Sequence, residues 1–316
     1  IKTQKDSKFF TLGNFSGRNS DSWPECNDKN SESLMNLIIE RNNGKYLELS
    51  HHMCHAANAF FSSNFDKALI LTIDGGGNED NDTVTACTVY SGEKNKIQKI
   101  KVYNLYELNI ASGWNFICQL FNLSIGYPKG NQAGTLMAMA SMSNSEKYVN
   151  ALIDIMTKKE YMCVTDYRAL GKKIFNNLYF NEQEKFDIAS SLQVATEIII
   201  KEELRYFVKK FKTKKLCVAG GCALNSVMIG KIQDWFPEIS DIYVPPVPCD
   251  SGLSIGSSQY LWHQILGNNR IKWKDSFTPY LGRKYNEKQI LVSLEKFNDF
   301  VTYSYVDEKK IIDLLE

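Results

Sequence analysis

The sequence holds four histidines, and three of them fall in the run Ser50-His51-His52-Met53-Cys54-His55-Ala56-Ala57-Asn58-Ala59-Phe60-Phe61. His51 and His55 are four positions apart, which on an α-helix sets both imidazoles on one face, one turn apart. Two imidazoles in that relation can ligate one metal ion, as on other His-xxx-His helices. The run is rich in Ala, ends in aromatics and follows Ser50, a good N-cap, so the local sequence predicts a helix. Further on, Leu69-Ile70-Leu71-Thr72-Ile73-Asp74-Gly75-Gly76-Gly77 reads as a short apolar strand ending in an acid and a glycine turn. Asp74, held at the strand's end, is read as a further ligand. An isolated His-xxx-His is more often a surface helix with incidental histidines. The strand-Asp-Gly-Gly-Gly partner tips the reading toward a metal.

Two later stretches carry turn chemistry. Leu216-Cys217-Val218-Ala219 reads as a buried strand, followed by Gly220-Gly221-Cys222-Ala223-Leu224-Asn225 and a helix. A glycine pair between a strand and a helix lets the backbone approach a ligand and aim N–H groups at an anion. Alone it is a weak signal, since Gly-Gly after a strand is often only a tight turn. Asp250 follows Pro245-Pro246-Val247-Pro248-Cys249 and precedes the Gly- and Ser-rich start of another helix. It reads as an N-cap worth about 1 kcal/mol, or as cap and ligand together if its two oxygens divide the work.

These groups need elements to hold them. Residues 1–33 read as polar loop, 34–41 as a short helix and 46–49 as a strand leading to the histidines. Residues 68–103 read as a three-stranded antiparallel unit, with alternation in Val84 to Tyr90, a turn at Ser91-Gly92-Glu93 and a return strand from Ile97 to Tyr103. Helices dominate the middle of the chain. Trp114, Ile117, Cys118 and Phe121 recur at helical spacing, and further helices are predicted over 136–142 and 146–157. Residues 158–186 read as irregular. The longest helix is predicted over 187–211, where Ile188, Leu192, Ala195 and Ile199 form one apolar stripe. The charges at Lys201, Glu202, Glu203, Lys209 and Lys210 read as a solvated face. A last helix is predicted over 286–297.

Composition sets the outer limits. The chain has 316 residues, 43% hydrophobic and 23% charged, ordinary values for a globular protein with a sizeable core. Its net charge of +1 gives no electrostatic case for a nucleic-acid or membrane partner. No apolar run approaches the roughly 18 residues needed to span a bilayer. The opening Ile1-Lys2-Thr3-Gln4-Lys5-Asp6 is polar and unlike a signal peptide, and a start on Ile reads as a fragment. Eight cysteines stand singly, with no C-x-x-C pair, several inside apolar runs. Buried reduced thiols and a cytoplasmic setting are expected.

Taken in order, these stretches resemble the ATP-dependent O-carbamoyltransferases of the nodulation-factor, cephamycin and tobramycin type. The residues that carry the resemblance are His51-His52-Met53-Cys54-His55-Ala56 with Ala59-Phe60-Phe61, then Leu71-Thr72-Ile73-Asp74-Gly75-Gly76-Gly77. Gly220-Gly221-Cys222-Ala223-Leu224-Asn225 follows, then Asp250-Ser251-Gly252-Leu253-Ser254-Ile255-Gly256 and Pro279-Tyr280-Leu281-Gly282. The ordered set covers roughly residues 45–285. The resemblance implies an α/β fold of the actin/Hsp70/sugar-kinase type, two lobes around a nucleotide cleft, here without its first strands. It implies residues 1–284 as the carbamoyl-transfer domain and 285–316 as the start of a linker or of a YrdC-like domain. It also implies a divalent metal, Fe2+ first, on residues matching His51, His55, Asp74 and Asp250. Gly75, Gly76, Gly77, Gly220, Gly221 and Asn225 would hold the nucleotide.

The implied activity passes a carbamoyl group from carbamoyl-adenylate to a hydroxyl of a small-molecule acceptor. The YrdC-like domain, or a partner chain, makes the adenylate from carbamoyl phosphate and ATP. Asp74 and His52 are the candidate catalytic groups, His52 as base or substrate-orienting group, with a structural role equally open. A second copy of the chain is a further candidate partner; nucleic acid and membrane are not. Three departures stand out: the family's amino-terminal Gly-His-Asp segment, its YrdC-like Gly-Pro-Arg-Ala-Leu-Gly signature, and a lysine that here is Thr135 in Gly134-Thr135-Leu136-Met137-Ala138-Met139-Ala140. The competing readings are a threonylcarbamoyl-type tRNA modifier, which the near-neutral charge opposes, and a metal- and nucleotide-binding module without complete catalysis.

Overall fold

The computed structural model describes residues 9–13, 45–78, 84–126, 130–162, 166–270, 272, 283–307 and 310–311. It comprises two compact units, residues 1–277 and 278–316. The first unit begins with strands β1 (Phe9–Gly13) and β2 (Lys45–Leu49), which pair in parallel. The polar residues around Phe9-Phe10-Thr11-Leu12 had drawn this stretch into the expected loop, so β1 is a correction. The helix expected over 34–41 lies outside the described residues.

Helix α1 (His51–Ser62) follows, capped by Ser50, whose Oγ accepts the Met53 N–H at 3.3 Å. Strands β3 (Lys67–Asn78), β4 (Val84–Glu93) and β5 (Lys96–Asn104) then form the predicted antiparallel meander. Helices α2 (Ile110–Leu120), α3 (Ala133–Ala140) and α4 (Val149–Thr157) come next, then α5 (Lys159–Met162) and α6 (Tyr167–Phe175). The last two fall where irregular chain was expected. Asp166 starts α6 by accepting the N–H groups of Arg168 and Ala169, and Leu170 and Phe175 bury its inner face. The longest helix, α7 (Glu182–Phe211), starts five residues earlier than its apolar stripe suggested. A capping box between Asn181 and Glu184 fixes that start, a spacing readable in the sequence.

Strand β6 (Lys215–Ala219), helix α8 (Ser226–Trp235), strand β7 (Asp241–Tyr243) and helix α9 (Leu253–Gln259) complete the first unit. The second unit holds α10 (Glu287–Glu295), with a capping box from Asn286 to Gln289 and no buried residue.

The main sheet has five strands in the order β5-β4-β3-β6-β7, with β6 and β7 parallel to β3. An antiparallel meander continued by two parallel strands makes a mixed sheet, in agreement with the expected α/β class. Strand alternation sends Leu69, Leu71, Ile73, Leu216 and Val218 toward α2, α4 and α7, where Ile117, Leu152, Leu192 and Ile199 close the larger core. Ile70, Tyr90, Cys217 and Ala219 face the other way and meet Ala56, Phe60 and Phe61 of α1. The helix that carries the histidines is thus fixed on one face of the sheet by its aromatic end.

Helix α9 packs across α1 at backbone distance. A Cβ on Gly256 would stand 1.8 Å from the Cys54 carbonyl oxygen, so the crossing admits no side chain there. Gly256→Ala forces the helices apart, and overpacking of this kind costs about 3 kcal/mol. We expect the urea-unfolding midpoint to fall by that equivalent; an unchanged midpoint would mean that the crossing is looser than described.

Candidate metal centre and adjoining cavity

The first turn of α1 lies beside the carboxyl end of β3 and the short helical turn Asp250–Gly252. His51 and His55 meet there with their Nε2 atoms 3.1 Å apart. Asp74 Oδ2 stands 2.8 Å from His51 Nε2 and 3.6 Å from His55 Nε2. Asp250 Oδ1 stands 3.4 Å from each of the two imidazole nitrogens. The four ligand atoms all lie within 4.8 Å of one another. Ligands at about 2.1 Å from one ion are separated by about 3.0 Å at right angles and about 3.4 Å in a tetrahedron. The observed separations match those edges, so the four side chains fit a single divalent ion with little movement. Two imidazoles and two carboxylates suit a transition ion better than Ca2+ or Mg2+.

The electrostatics agree with that geometry. Burial alone would lower the His51 imidazole, but hydrogen bonds and charge from Asp250 and Asp74 outweigh it and lift it to about 10. The same balance raises His55. Burial works against the charged form of Asp74 as well, yet the two histidines hold its carboxyl well below the ordinary range. Asp250 is held low by the same partners, and its side chain is 47% exposed, so the centre opens on its side. The N-cap reading of Asp250 is corrected: it begins the short turn, and α9 has no side-chain cap.

Of the two roles left open for His52, catalytic and structural, its surroundings favour the structural one. It is fully buried, with Nε2 2.8 Å from the Thr85 carbonyl and Nδ1 2.8 Å from Thr72 Oγ1. In the neutral ring Nε2–H donates to the carbonyl and Nδ1 is left to accept from the Thr72 hydroxyl, whose single proton the Thr88 carbonyl at 3.1 Å also shares, so both ring nitrogens have partners. Burial and the neighbouring His51 and His55 push it down to about 3. Thr72, the one polar residue in the run Ala68-Leu69-Ile70-Leu71-Thr72-Ile73, is the signal for this partner.

The glycine turns divide their roles. Gly77 lies under the His51 ring, where a Cβ would come within 2.2 Å of its Cγ. Gly220 takes φ +89° and sits against the Ile73 carbonyl, and its N–H donates to the Pro248 carbonyl at 2.8 Å. The Gly221 N–H donates to Asp74 Oδ1 at 2.8 Å. The turn therefore does aim an N–H at an anion, but the anion is the protein's own carboxylate. Asn225 caps α8 by accepting the Met228 N–H at 3.0 Å.

Beyond Asp74 opens a cavity of about 390 Å³. Gly75, Gly221, Cys222 and Asn225 line it together with Trp114 and Met137. Gly76 and Gly77 do not line it. Thr135 is exposed on α3, with Oγ1 3.3 Å from Gln132 Oε1. No described helix is long and apolar enough to cross a membrane.

Residues 32–259 match the family model of the carbamoyltransferase N-terminus. The chain belongs to that family. A protein of Synechocystis sp. without an assigned function is 26% identical over 290 residues, covering 83% of this chain and 44% of its own length. Nodulation protein NolO of Bradyrhizobium diazoefficiens is 26% identical over 228 residues, covering 66% of this chain and 37% of its own length. The chain thus spans about half the length, or less, of the curated relatives it matches. Among solved structures, HypF of T. kodakarensis aligns with a TM-score of 0.43 at 13% identity, covering 73% of this chain and 38% of that one.

For this carbamoyltransferase-family chain the candidate centre makes three predictions. His51→Ala removes most of the bound metal, read by elemental analysis. Gly221→Val does the same, because its added Cβ would lie 2.9 Å from Asp74 Oδ1. Proton and metal compete for His51 Nε2, and below about 10 the proton holds it. Metal affinity therefore rises with pH from 6 to 9, about tenfold per unit for each proton displaced. Calorimetry in buffers of different ionisation enthalpy should show at least one proton released; none released would contradict the pair of carboxylate-held imidazoles.

Proposed function

We propose that the chain carries the transfer step of an ATP-dependent O-carbamoyltransferase. In this reading the acceptor hydroxyl oxygen attacks the carbonyl carbon of carbamoyl-adenylate, the bond from that carbon to the phosphate oxygen breaks, AMP leaves with that bond's electron pair, and the hydroxyl proton passes to solvent on the open Asp250 side. The observation that carries the proposal is the convergence of His51, His55, Asp74 and Asp250 at the edge of a cavity of substrate size. These four side chains would hold the ion. A bound divalent ion, Fe2+ first among candidates, supplies Lewis acidity that polarises a carbonyl or acidifies a hydroxyl.

The chain's own groups do the rest. Asp74 spends one oxygen on the Gly221 N–H and keeps the other toward the histidines, so its orientation is set before any ligand arrives. The nucleotide is proposed to enter beside Gly75, Gly221 and Asn225. Trp114 donates its Nε1–H to Thr196 Oγ1 at 2.9 Å and forms an apolar wall that excludes water from the adenylate. Gly76, Gly77 and Gly220 shape the strand and turn behind that surface. Asp250, half-exposed, leaves the acceptor a path from solvent.

Residues 1–284 are proposed as this transfer domain, with 285–316 leading into a linker or YrdC-like domain. Carbamate activation is assigned to that domain or to a partner chain, in keeping with the greater length of the relatives. The test supplies carbamoyl phosphate, ATP and a panel of hydroxylated metabolites, with mass-spectrometric detection. The 316-residue chain alone should give no carbamoylated product, and the chain with a YrdC-like partner should give it. His51→Ala should lower the partnered rate on the order of 10²-fold or more. Product from the chain alone would overturn the division of labour. No product even from supplied carbamoyl-adenylate would leave a binding module without catalysis.

A further inference from the structure

Behind Asn225 at the cavity runs a chain of side-chain hydrogen bonds whose further members, Gln193 and Glu197, the proposed transfer chemistry does not use. It starts at the cap of α8, where Asn225 Oδ1 accepts the Met228 N–H at 3.0 Å. A backbone N–H can only donate, so Asn225 Nδ2 must face the other way. It donates to Gln193 Oε1 on α7 at 2.8 Å. Gln193 Nε2 then donates to Glu197 Oε1 at 2.9 Å and to Asn225 Oδ1 at 3.3 Å. Glu197 ends the chain on Lys231 Nζ, 2.7 and 2.8 Å from its two oxygens. Every amide orientation is thus dictated, by the backbone at one end and by an ammonium group at the other. Gln193 and Glu197 are 6% and 9% exposed, so neither group has water to fall back on.

What this chain grips is the turn Gly220–Asn225. At its far end, two consecutive N–H groups reach the two segments that carry the candidate carboxylates. Gly220 donates to the Pro248 carbonyl, two residues before Asp250, and Gly221 donates to Asp74 Oδ1. One turn therefore sets the distance between both carboxylates.

We propose that Gln193 and Glu197 are positioning residues for the metal centre, acting through Asn225 and this turn to fix Asp74 and the Asp250 segment. Neither residue touches the proposed ion. The proposal rests on the metal reading of the centre and deepens it. Outer partners of ligating groups change metal affinity about 10- to 100-fold when removed, and a brace two bonds further out belongs at the lower end.

The test uses the full 316-residue chain and two readouts. The first is hydrogen exchange of the Gly221 N–H by NMR in metal-free protein, which needs no ion. The second is the dissociation constant and absorption spectrum of bound Co2+, well below the unfolding temperature. Gln193→Met keeps the length and loses the hydrogen bonds. It should speed Gly221 exchange and weaken Co2+ binding, each about tenfold. Glu197→Gln keeps an acceptor for Gln193 Nε2 and should stay near wild type in both, which a purely electrostatic role would not allow. Lys231→Met, at a half-exposed position, should shift both readouts in the same direction by less, and carries the test if Gln193→Met does not fold. Wild-type exchange and wild-type Co2+ affinity in the folded variant overturn the proposal. A wild-type chain that binds no Co2+ overturns the metal reading instead, and Gly221 exchange then decides the brace by itself.

Discussion

Asp74 holds the structure's most demanding position. It follows the apolar run of the central strand, where the pairing of β3 with β4 shifts register after Ile73, it is almost fully buried, and it faces two imidazoles. A carboxylate there is costly unless each oxygen finds a partner. The division is clean: Oδ1 accepts a backbone N–H from the turn after β6, and Oδ2 meets the histidines of α1. Strand, turn and helix must therefore stand in fixed relation. The parallel pairing of β3 with β6 supplies it, since Thr72 pairs with Ala219 and brings Gly221 to the end of Asp74.

The same constraint explains why the first unit tolerates so little space around α1. The helix is pinned by Phe60 and Phe61 at one end and crossed by α9 against the Cys54 carbonyl. Arg270 adds a clamp at the helix's carboxyl end, donating to the carbonyls of Phe60 and Ser63. Unsatisfied terminal carbonyls are common helix weaknesses, and a guanidinium suits them in charge and shape. His52 completes the set by tying α1 to the two strands beneath it.

Much of this was legible in the sequence where periodicity or a single polar residue carried the signal. His51 and His55 share a face because four residues make one turn, whereas the expected strand end and glycine turn after Asp74 are corrected: β3 runs on through Gly75, Gly76 and Gly77 to Asn78, past an irregularity in its pairing with β4. The meander, the α7 stripe and the buried cysteines follow from the same patterns. What could not be read depends on contacts between distant segments. Whether Asp250 caps a helix or faces α1 is decided by the α1–α9 crossing, which no local pattern states. The strand-glycine turn spoke correctly for an anion, but a sequence cannot say that the anion is Asp74. The role of His52 could not be read for the same reason, because the hydroxyl and carbonyl that occupy it lie on neighbouring strands. The short strand at Phe9 was lost among polar neighbours, since only its pairing with β2 makes it a strand.

The order of the ligand-bearing segments along the chain has a kinetic meaning. His51, His55 and Asp74 lie close together in sequence, whereas Asp250 and the turn that orients Asp74 come from the far end of the same unit. During synthesis the first three groups emerge well before the elements that set their geometry. A ribosome adding about 5–20 residues each second leaves them waiting roughly ten seconds or more for the rest. Until β6 adds to the sheet, Asp74 has no N–H to accept and no reason to point at the histidines. On the proposed metal reading, these three groups alone would hold an ion loosely, and selection among metals would fall to the finished fold. Long-range strand pairing, which is slow to form, is then the step that completes the candidate centre.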